Sequence, residues 1–540
     1  MQKNNVTVIK SLLIIFILGF SLQVGAQKSE KVVKLLLNNE RAEALKLVKK
    51  LDQSDVENYY LKQIVLKENG EIANGYNYLE GLTKKENFEP YLFASWHETF
   101  LFSDYESQGF APLELRRLQE IATPEFQNAS LRDAYFYMKS IHAEVSRDFE
   151  QQKQFVASIK NIENWELVGP FENLNDSGLN ITYAPEEMAT STKGFDTNGN
   201  GIVNWYVAPD NPLSPYKDFI NHDEYGNKIN YAQTFIQSDK EQRAVLHLGR
   251  GGIIKVFLND VEILEDKEDV RTEIDAHQIE VTLQAGTNRL LIKSASSGTP
   301  YYIARLMNAD GEVLQLGNDL SNKSYKKATA ASVDAKSLEH PMEAFFRNKL
   351  KSNPNDFVSF YGLYHSLQHN ARYKETINLV KEQLQKNPKS SLLNTMLMNA
   401  YTESDQGDEA LKVMENLMKN DPDYYQSLIL EFADTEKLMN LDQQEFRKKM
   451  TAIQGATNLN TIDEMCDLFI ALRNEEEKEA EKILDRLVED ERTTIKGLAT
   501  YAGFYNSILN DEKRYEKILT DAHEKYHSWY IINNLAGIYS

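Results

Sequence analysis

The chain has 540 residues, of which 41% are hydrophobic and 26% are charged, a composition typical of soluble globular proteins. This length is enough for about three domains of ordinary size. Aspartate and glutamate total 81 against 60 lysines and arginines, which gives a formal net charge of -21. Because a surface this acidic repels phosphate backbones, the composition argues against a nucleic-acid partner.

The first 26 residues have the pattern of a secretion signal peptide. Lys3 and Lys10 precede an apolar run at 11–22, and small residues before Gln27 offer a cleavage site. The run is shorter than the ~20 residues that span a bilayer, which favours cleavage over an uncleaved anchor. The single cysteine, Cys466, cannot form an internal disulfide, which fits a bacterial envelope better than a disulfide-rich secreted scaffold. We therefore expect an exported protein, periplasmic or at the cell surface, that does not span the membrane after cleavage.

Residues 27–161 are predicted to form an N-terminal α-helical domain. Apolar residues recur there at spacings of three and four, as at Ala134, Tyr137, Met138 and Ile141. Turn residues separate these stretches. We expect several antiparallel helices that are degenerate repeats of one hairpin type.

Residues 162–325 have the pattern of an antiparallel β-sandwich. Short segments alternate apolar and polar residues, as in 279–283, and Asn259-Asp260 has the composition of a tight hairpin turn between two of them. Several short strands at such spacing are typical of a sandwich. A stretch rich in lysine, serine and alanine follows, and residues 326–340 are predicted to be a linker.

Three prolines in residues 341–540 stand at a constant interval of 34 positions, at Pro354, Pro388 and Pro422. A period of 34 residues, with proline after the second helix, is similar to the tetratricopeptide repeat. In the repeat that begins at Ser391, Leu397 falls on a large core position, while Thr376 of the preceding repeat replaces the usual small alanine. The resemblance implies stacked helical hairpins with a concave groove that binds a partner.

The first helix of each tetratricopeptide hairpin lines the concave groove, so the resemblance assigns groove positions. These candidate binding residues are Tyr361, His365, Gln368, His369, Thr395, Asn399, Thr402 and Glu403. Of the residues that form a carboxylate clamp in this family, Asn399 alone matches, so that activity is not carried over. A polar peptide-binding groove and a structural spacer remain open as alternatives.

The middle domain resembles a known module in its first forty residues. Trp165-Glu-Leu-Val-Gly-Pro-Phe171 precedes Pro185-Glu186 and then Gly201-Ile-Val-Asn-Trp205. This order resembles a β-sandwich module of exported bacterial tetratricopeptide proteins, many of which continue into a transglutaminase-like domain. No Cys–His–Asp set follows here. Residues 249–262 and 286–293 also resemble the galactose-binding-like sandwiches of glycoside hydrolases, a jelly-roll-like fold that implies structure and sometimes carbohydrate binding.

Five aromatic residues of this domain have two interpretations. Trp165, Trp205, Tyr206, Tyr301 and Tyr302 can stack on sugar rings or fill a sandwich core, and the core is the commoner role. Trp205 is the candidate for carbohydrate binding. Its loss is expected to abolish glycan binding if the sandwich is the ligand site.

Metal and catalytic motifs are weak in this sequence. Residues 196–201 resemble the first half of a calcium loop, but Val207 stands where the bidentate glutamate belongs, so a turn is favoured. His365 and His369 share a helix face but lack the metalloprotease glutamate between them. We predict no metal, no cofactor and no catalytic residue.

The sequence therefore predicts an α+β multidomain protein in which tetratricopeptide-like helical repeats flank a galactose-binding-like antiparallel β-sandwich. The predicted function is a non-enzymatic exported scaffold that binds a protein or peptide partner through a helical-repeat groove. One alternative is a carbohydrate-binding protein that uses the sandwich. Another is the non-catalytic portion of a transglutaminase-like enzyme whose catalytic domain is absent.

Overall fold

The chain divides into two compact units in the computed structural model. The first contains the described residues up to Thr123 together with Phe346–Gln368 and Arg372–Ser540, and the second contains Pro124–Phe345 with His369–Ala371. The structure describes residues 27–71, 75–95, 110–199, 201–219, 227–308, 311–314, 316–433, 435–457 and 460–540, so the predicted signal peptide lies outside the described residues. The two helical regions that the sequence separates thus share one unit, and 124–161 belong with the strands.

The N-terminal part of the first unit is helical, as predicted. Its helices are α1 (27–37), α2 (Arg41–Val48), α3 (Val56–Glu68), α4 (Gly75–Leu82), α5 (Glu89–Ser95) and α6 (Pro112–Glu120). Local chemistry explains two of the starts. The Asp55 side chain accepts a 2.9 Å hydrogen bond from the amide of Asn58 at the start of α3. Pro112 opens α6, where a missing amide hydrogen costs nothing.

The second unit begins with two helices and continues into an antiparallel sandwich. The helices are α7 (Ala129–Val145) and α8 (Phe149–Ser158), with the short α9 (Ala184–Glu187) and α10 (Ala330–Val333) further on. The strands are β1 (Glu166–Phe171), β2 (Phe195–Asp196), β3 (Ile202–Val203), β4 (Tyr206–Val207), β5 (Lys217–Asp218), β6 (Ile229–Ser238), β7 (Gln242–Gly251), β8 (Ile253–Leu258), β9 (Val261–Asp266), β10 (His277–Leu283), β11 (Gly286–Ala295), β12 (Tyr301–Met307), β13 (Gly317–Asn318) and β14 (Lys336–Leu338).

These strands form two main sheets. The first has the order β4-β1-β6-β11-β8-β9, with β13 also paired to β6, and the second has the order β14-β10-β7-β12-β5. The predicted turn between β8 and β9 is confirmed, because Asn259 and Asp260 both have positive φ, at 51° and 68°. Two consecutive left-handed residues match the right-handed twist of a hairpin.

Alternate residues of both sheets meet in one apolar core. The first sheet contributes Leu290 and Ile292 of β11, and the second contributes Leu246 and Leu248 of β7. The period of two along each strand puts these side chains on one face, which is why the alternating segments predicted the sandwich. Residues 326–340, which are predicted to be a linker, instead form part of the sandwich, because β14 pairs with β10 and Val333 is buried in the core. Their polar composition agrees with an edge strand in which Lys336 and Ser337 are exposed.

The outer faces of both sheets are also covered. Phe136 and Tyr137 of α7 pack with Ile303 of β12 on the second sheet. Tyr183 and Phe195, from the segment before β6, pack on the first sheet. Strands such as β11 and β12 are therefore buried on both faces, which is why apolar residues stand in succession at Leu290, Leu291 and Ile292 of β11.

The C-terminal region consists of helices throughout its described length. They are α11 (Pro341–Ser352), α12 (Phe357–His369), α13 (Tyr373–Lys386), α14 (Ser391–Glu403), α15 (Gly407–Asn420), α16 (Tyr425–Ala433), α17 (Thr435–Met439), α18 (Gln443–Gln454), α19 (Asn460–Arg473), α20 (Glu477–Glu489), α21 (Ile495–Ser507), α22 (Glu512–Lys525) and α23 (Trp529–Tyr539). No helix among the described residues is both long enough and apolar enough to cross a membrane.

The three periodic prolines occupy equivalent corners of the array. Each is the second residue of a turn that leaves α11, α13 or α15, and each turn closes with an amide-to-carbonyl hydrogen bond between its fourth and first residues. These bonds run from Asp356 to Asn353, from Ser390 to Asn387 and from Tyr424 to Asp421, at 3.0, 3.1 and 3.2 Å. Proline suits this position because it cannot continue the preceding helix.

The turns inside the hairpins share a second feature. One residue adopts the left-handed conformation in each of six turns, at Asn39, Arg147, Ala371, Asp405, Glu475 and Asn510. In the first five, the next amide donates to the carbonyl five positions earlier at 2.9 Å, which is the Schellman arrangement. The hairpins α1–α2 and α7–α8 thus turn in the same way as the C-terminal hairpins α12–α13, α14–α15 and α19–α20.

Candidate functional site

The eight predicted groove residues all lie on α12 and α14, which are neighbours in the array. The Tyr364 hydroxyl of α12 donates a 2.8 Å hydrogen bond to the Met396 carbonyl of α14. Core positions of the repeat pattern are buried as the resemblance implies, including Leu397 and Thr376. The groove positions differ among themselves, because only some of them remain at the surface.

Tyr361 is buried by helices from the N-terminal part of the same unit. Its ring lies 6.0 Å from the ring of Tyr60 on α3, at an interplanar angle of 65°. Tyr60 packs on Tyr91 of α5, and Tyr91 packs edge-on to Phe346 of α11. Edge-to-face pairs of this kind are worth ~0.5–1.5 kcal/mol each beyond their buried area. The first turn of the predicted groove is therefore filled by the chain itself.

A polar contact also covers the first predicted groove position of the next repeat, Thr395. Thr395 of α14 is buried, and the Tyr424 hydroxyl beside it donates a 2.8 Å hydrogen bond to the Glu68 carboxylate of α3. Burial and the neighbouring Glu68 raise the pKa of Tyr424 well above its usual range, so this hydroxyl stays protonated and donates. The sequence analysis did not find Tyr60 or Glu68, and no short-range pattern marks them.

The open part of the groove lies at the C-terminal half of α14. Asn399, Thr402 and Glu403 are exposed, whereas His365 and Gln368 of α12 are half-buried. The His365 ring packs between the rings of Tyr361 and Tyr364, at 4.5 and 4.7 Å between centroids. The half-buried His369 ends α12, and its carbonyl accepts a hydrogen bond from the amide of Glu273 in the second unit, to which His369 belongs. The structure thus leaves a polar surface of three side chains on α14.

The five aromatic residues of the sandwich all contact other protein side chains. Trp165 and Tyr302 are buried in the core between the sheets, with ring centroids 4.8 Å apart, and Tyr206 packs against that core. Tyr301 packs edge-on to Tyr216. The half-buried Trp205 packs with Phe195 on the outer face of the first sheet. The core interpretation of Trp165 and Tyr302 agrees with their burial.

The glutamate of the Pro-Glu motif has a structural position. Glu186 accepts a 2.8 Å hydrogen bond from the Lys293 ammonium and a 2.6 Å hydrogen bond from the Tyr231 hydroxyl. Lys293 is buried and also donates to the carbonyls of Leu179 and Ile181. Burial lowers the pKa of Lys293, and Glu186 opposes that change. With every ammonium hydrogen engaged, this cluster fixes the loop over the first sheet and offers no free nucleophile.

A second buried ionic cluster lies between α7 and the second sheet. The Arg305 guanidinium pairs with both Asp133 and Asp275, and all three side chains are at most 1% exposed. Asp275 also lies 3.1 Å from His247 Nδ1. Burial opposes ionisation, but Arg305 and then His247 hold the pKa of Asp275 well below its usual range. The cluster is an ionised pair network that joins the helix to the sheet.

The same cluster includes a serine and does not form a catalytic triad. Ser130 Oγ lies 3.4 Å from Nδ1 of His247, which is the same ring nitrogen that Asp275 addresses. In a triad the serine and the carboxylate contact opposite nitrogens of the imidazole, because the base must take a proton from one while the other is held. The geometry therefore supports structure and not acyl transfer.

Candidate metal ligands do not converge among the described residues. No group of three or more histidine, cysteine or carboxylate side chains is close enough there to hold a metal ion. Asp196 instead accepts a 3.0 Å hydrogen bond from the amide of Asn198, which has positive φ, and this forms an Asx turn. Asn200 of the candidate calcium loop lies outside the described residues.

The helical repeats have a counterpart among known families. The family model of the tetratricopeptide repeat matches residues 367–430, from the end of α12 into α16. No curated protein and no solved structure matches the chain. The C-terminal region therefore contains tetratricopeptide-type repeats, and the hairpins α1–α2, α7–α8 and α19–α20 share their turn geometry.

Proposed function

We propose that this protein is a non-enzymatic scaffold that binds a protein partner through the open part of its repeat groove. The observation that carries the proposal is the exposed polar surface of α14, formed by Asn399, Thr402 and Glu403, on a matched tetratricopeptide segment. Amide, hydroxyl and carboxylate groups on one helix face can bind the backbone and cationic side chains of a peptide. Stacked repeats present such faces as extended concave surfaces.

The burial of Tyr361 and Thr395 supports a narrower binding surface than a full tetratricopeptide groove. Their positions are covered by α3, so a partner has access to the C-terminal half of α14 and to the half-buried Gln368 of α12. Short accessible surfaces favour a peptide segment over a large folded domain. The proposal is therefore recognition of a short polar or basic segment.

A matched pair of charge-altering double variants tests this surface. The variant Asn399→Arg/Glu403→Arg alters the open face of α14, and the control Asn416→Arg/Glu415→Arg makes the same two changes at exposed positions of α15. We expect affinity purification with the full chain, followed by quantitative mass spectrometry, to lose specific partners with the first variant and to retain them with the control. Equal recovery with both variants would refute the groove as the binding surface.

We also propose that the protein is exported to the periplasm or the cell surface of a bacterium. The support is the charged, apolar and small-residue order of the first 26 residues. N-terminal mass spectrometry of the protein expressed in a bacterial host tests this proposal. A mature chain that begins at Gln27 is expected, and a cytoplasmic chain that retains Met1 and the apolar run contradicts it.

A further inference from the structure

The corner of the repeat array at Asp421 differs from the other two. The residue before the periodic proline is Asn353, Asn387 or Asp421, so this position is charged only in the third corner. Three positions later this corner has Tyr424, where the others have the small polar residues Asp356 and Ser390. Of the three corners, this one alone combines a carboxylate before the proline with an aromatic ring three positions later.

The Asp421 corner holds a guanidinium group in this structure. Nη2 of Arg41 pairs with Oδ2 of Asp421, and the guanidinium carbon lies 4.1 Å from the centroid of the Tyr424 ring. The Ser391 hydroxyl donates to the same carboxylate oxygen and fixes its position. A ring face, a carboxylate and a supporting donor together match the planar, delocalised charge of arginine better than the compact charge of lysine.

Arg41 follows a turn that is itself hydrogen-bonded to the repeat array. Asn39, between α1 and α2, accepts a 2.9 Å hydrogen bond from the Ser391 amide and donates one of 2.9 Å to the Lys389 carbonyl. A side-chain amide that bonds one N–H and one C=O of another segment imitates a peptide group. Asn39 and Arg41 thus bind the array as a peptide ligand does, although some 350 to 380 residues separate them from their partners.

We propose that Asp421, Tyr424 and Ser391 form a guanidinium-binding pocket, in which the chain's own Arg41 is the resident ligand and an arginine-bearing segment of a partner protein is the exchangeable one. The part of this proposal that concerns a partner protein rests on the proposed scaffold function. It specifies that the bound segment of the partner carries an arginine. The net charge of -21 favours a cationic partner by long-range attraction. The Arg41 and Asp421 side chains are each 17% exposed, so the pocket opens to solvent.

Chemical rescue in the full chain tests the pocket. Arg41→Ala is expected to speed hydrogen exchange in α14 and at the start of α16 by about fivefold or more, because an ion pair and a stacked cation are lost. Ethylguanidinium at about 10 mM is expected to restore protection in this variant, while ethylammonium at the same concentration is not. The double variant Arg41→Ala/Asp421→Asn is expected to lose the rescue.

A second experiment tests whether an arginine-bearing segment can take the place of Arg41 in the pocket. A blocked Gly-Arg-Gly tripeptide is expected to protect α14 and α16 in the Arg41→Ala variant, and its citrulline analogue, which has the same shape without the charge, is not. Unchanged exchange in Arg41→Ala, or equal rescue by ethylammonium, overturns the pocket. If ethylguanidinium restores protection but the arginine peptide has no effect, the proposal that the pocket binds partner segments is overturned. Loss of the α14 surface function leaves these exchange results unaffected, so the two proposals fail separately.

Discussion

The Arg305 cluster gives the sharpest test of what stabilises the second unit. Arg305→Met removes the cation that pairs with both Asp133 and Asp275 in a site where all three side chains are at most 1% exposed. It leaves Asp133 with Arg132 and Asp275 with His247 as neighbouring groups. Removing one partner of a buried ion pair costs ~3–5 kcal/mol, because the remaining charge has lost both water and its partner. We expect a loss in this range in the free energy of unfolding of the second unit.

A surface arginine of the same sheet is the matched control. Arg243 pairs with Asp334 at 2.5 Å, but the two side chains are 49% and 63% exposed. Because exposed pairs are worth ~0–1 kcal/mol, Arg243→Met should change stability little. Native-state hydrogen exchange of β7, β10 and β12 measures both variants, and ~3–5 kcal/mol corresponds to exchange that is ~10²- to ~5 × 10³-fold faster.

A triple variant and a pH series separate the effect of charge on stability from the effect of packing. The triple variant Asp133→Leu/Asp275→Leu/Arg305→Met replaces the ions by apolar groups, and it should be more stable than Arg305→Met alone. Arg305 holds the pKa of Asp275 low, so the stabilisation by this carboxylate is present above its usual pKa of 3.8 and is lost as the pH falls further. Wild type and Arg305→Met should converge in stability in acid. Equal effects of Arg305→Met and Arg243→Met at neutral pH would show that the reasoning is wrong.

Three other predictions follow from packing and burial. Gly362→Ala should destabilise the first unit by ~1–3 kcal/mol in thermal denaturation, because the added Cβ would lie 2.4 Å from the Phe346 ring. The control Gly407→Ala should be neutral or stabilising, because no neighbouring heavy atom would lie within 4 Å of its added Cβ. Burial raises the pKa of the Cys466 thiol to about 12, so a thiol reagent at pH 8 should label it only in denaturant, and rapid native labelling contradicts its burial. Burial lowers the pKa of Lys139 to about 8 from 10.5, so stability should rise with pH between these values, and Lys139→Met should lack the rise.

The open surface of α14 shows how far a repeat pattern predicts a site. The period of 34 residues placed all eight groove candidates on two adjacent helices, because equivalent positions of a repeat share one face. The pattern does not report what covers that face. Tyr361 packs on Tyr60 of α3, and Thr395 is buried beside Tyr424, whose hydroxyl bonds Glu68 of α3. Three of the eight candidates stay exposed.

The sequence by itself determined the class of each segment. Helical hairpins, the strands of the sandwich and the Asn259-Asp260 turn depend on local periodicity and on single residues that favour left-handed backbone, so short stretches specify them. Tertiary structure alone decided that β14 completes a sheet and that Arg41 meets Asp421. Such contacts join residues far apart in sequence, and their choice depends on shape and charge complementarity among many similar side chains, which no local pattern records.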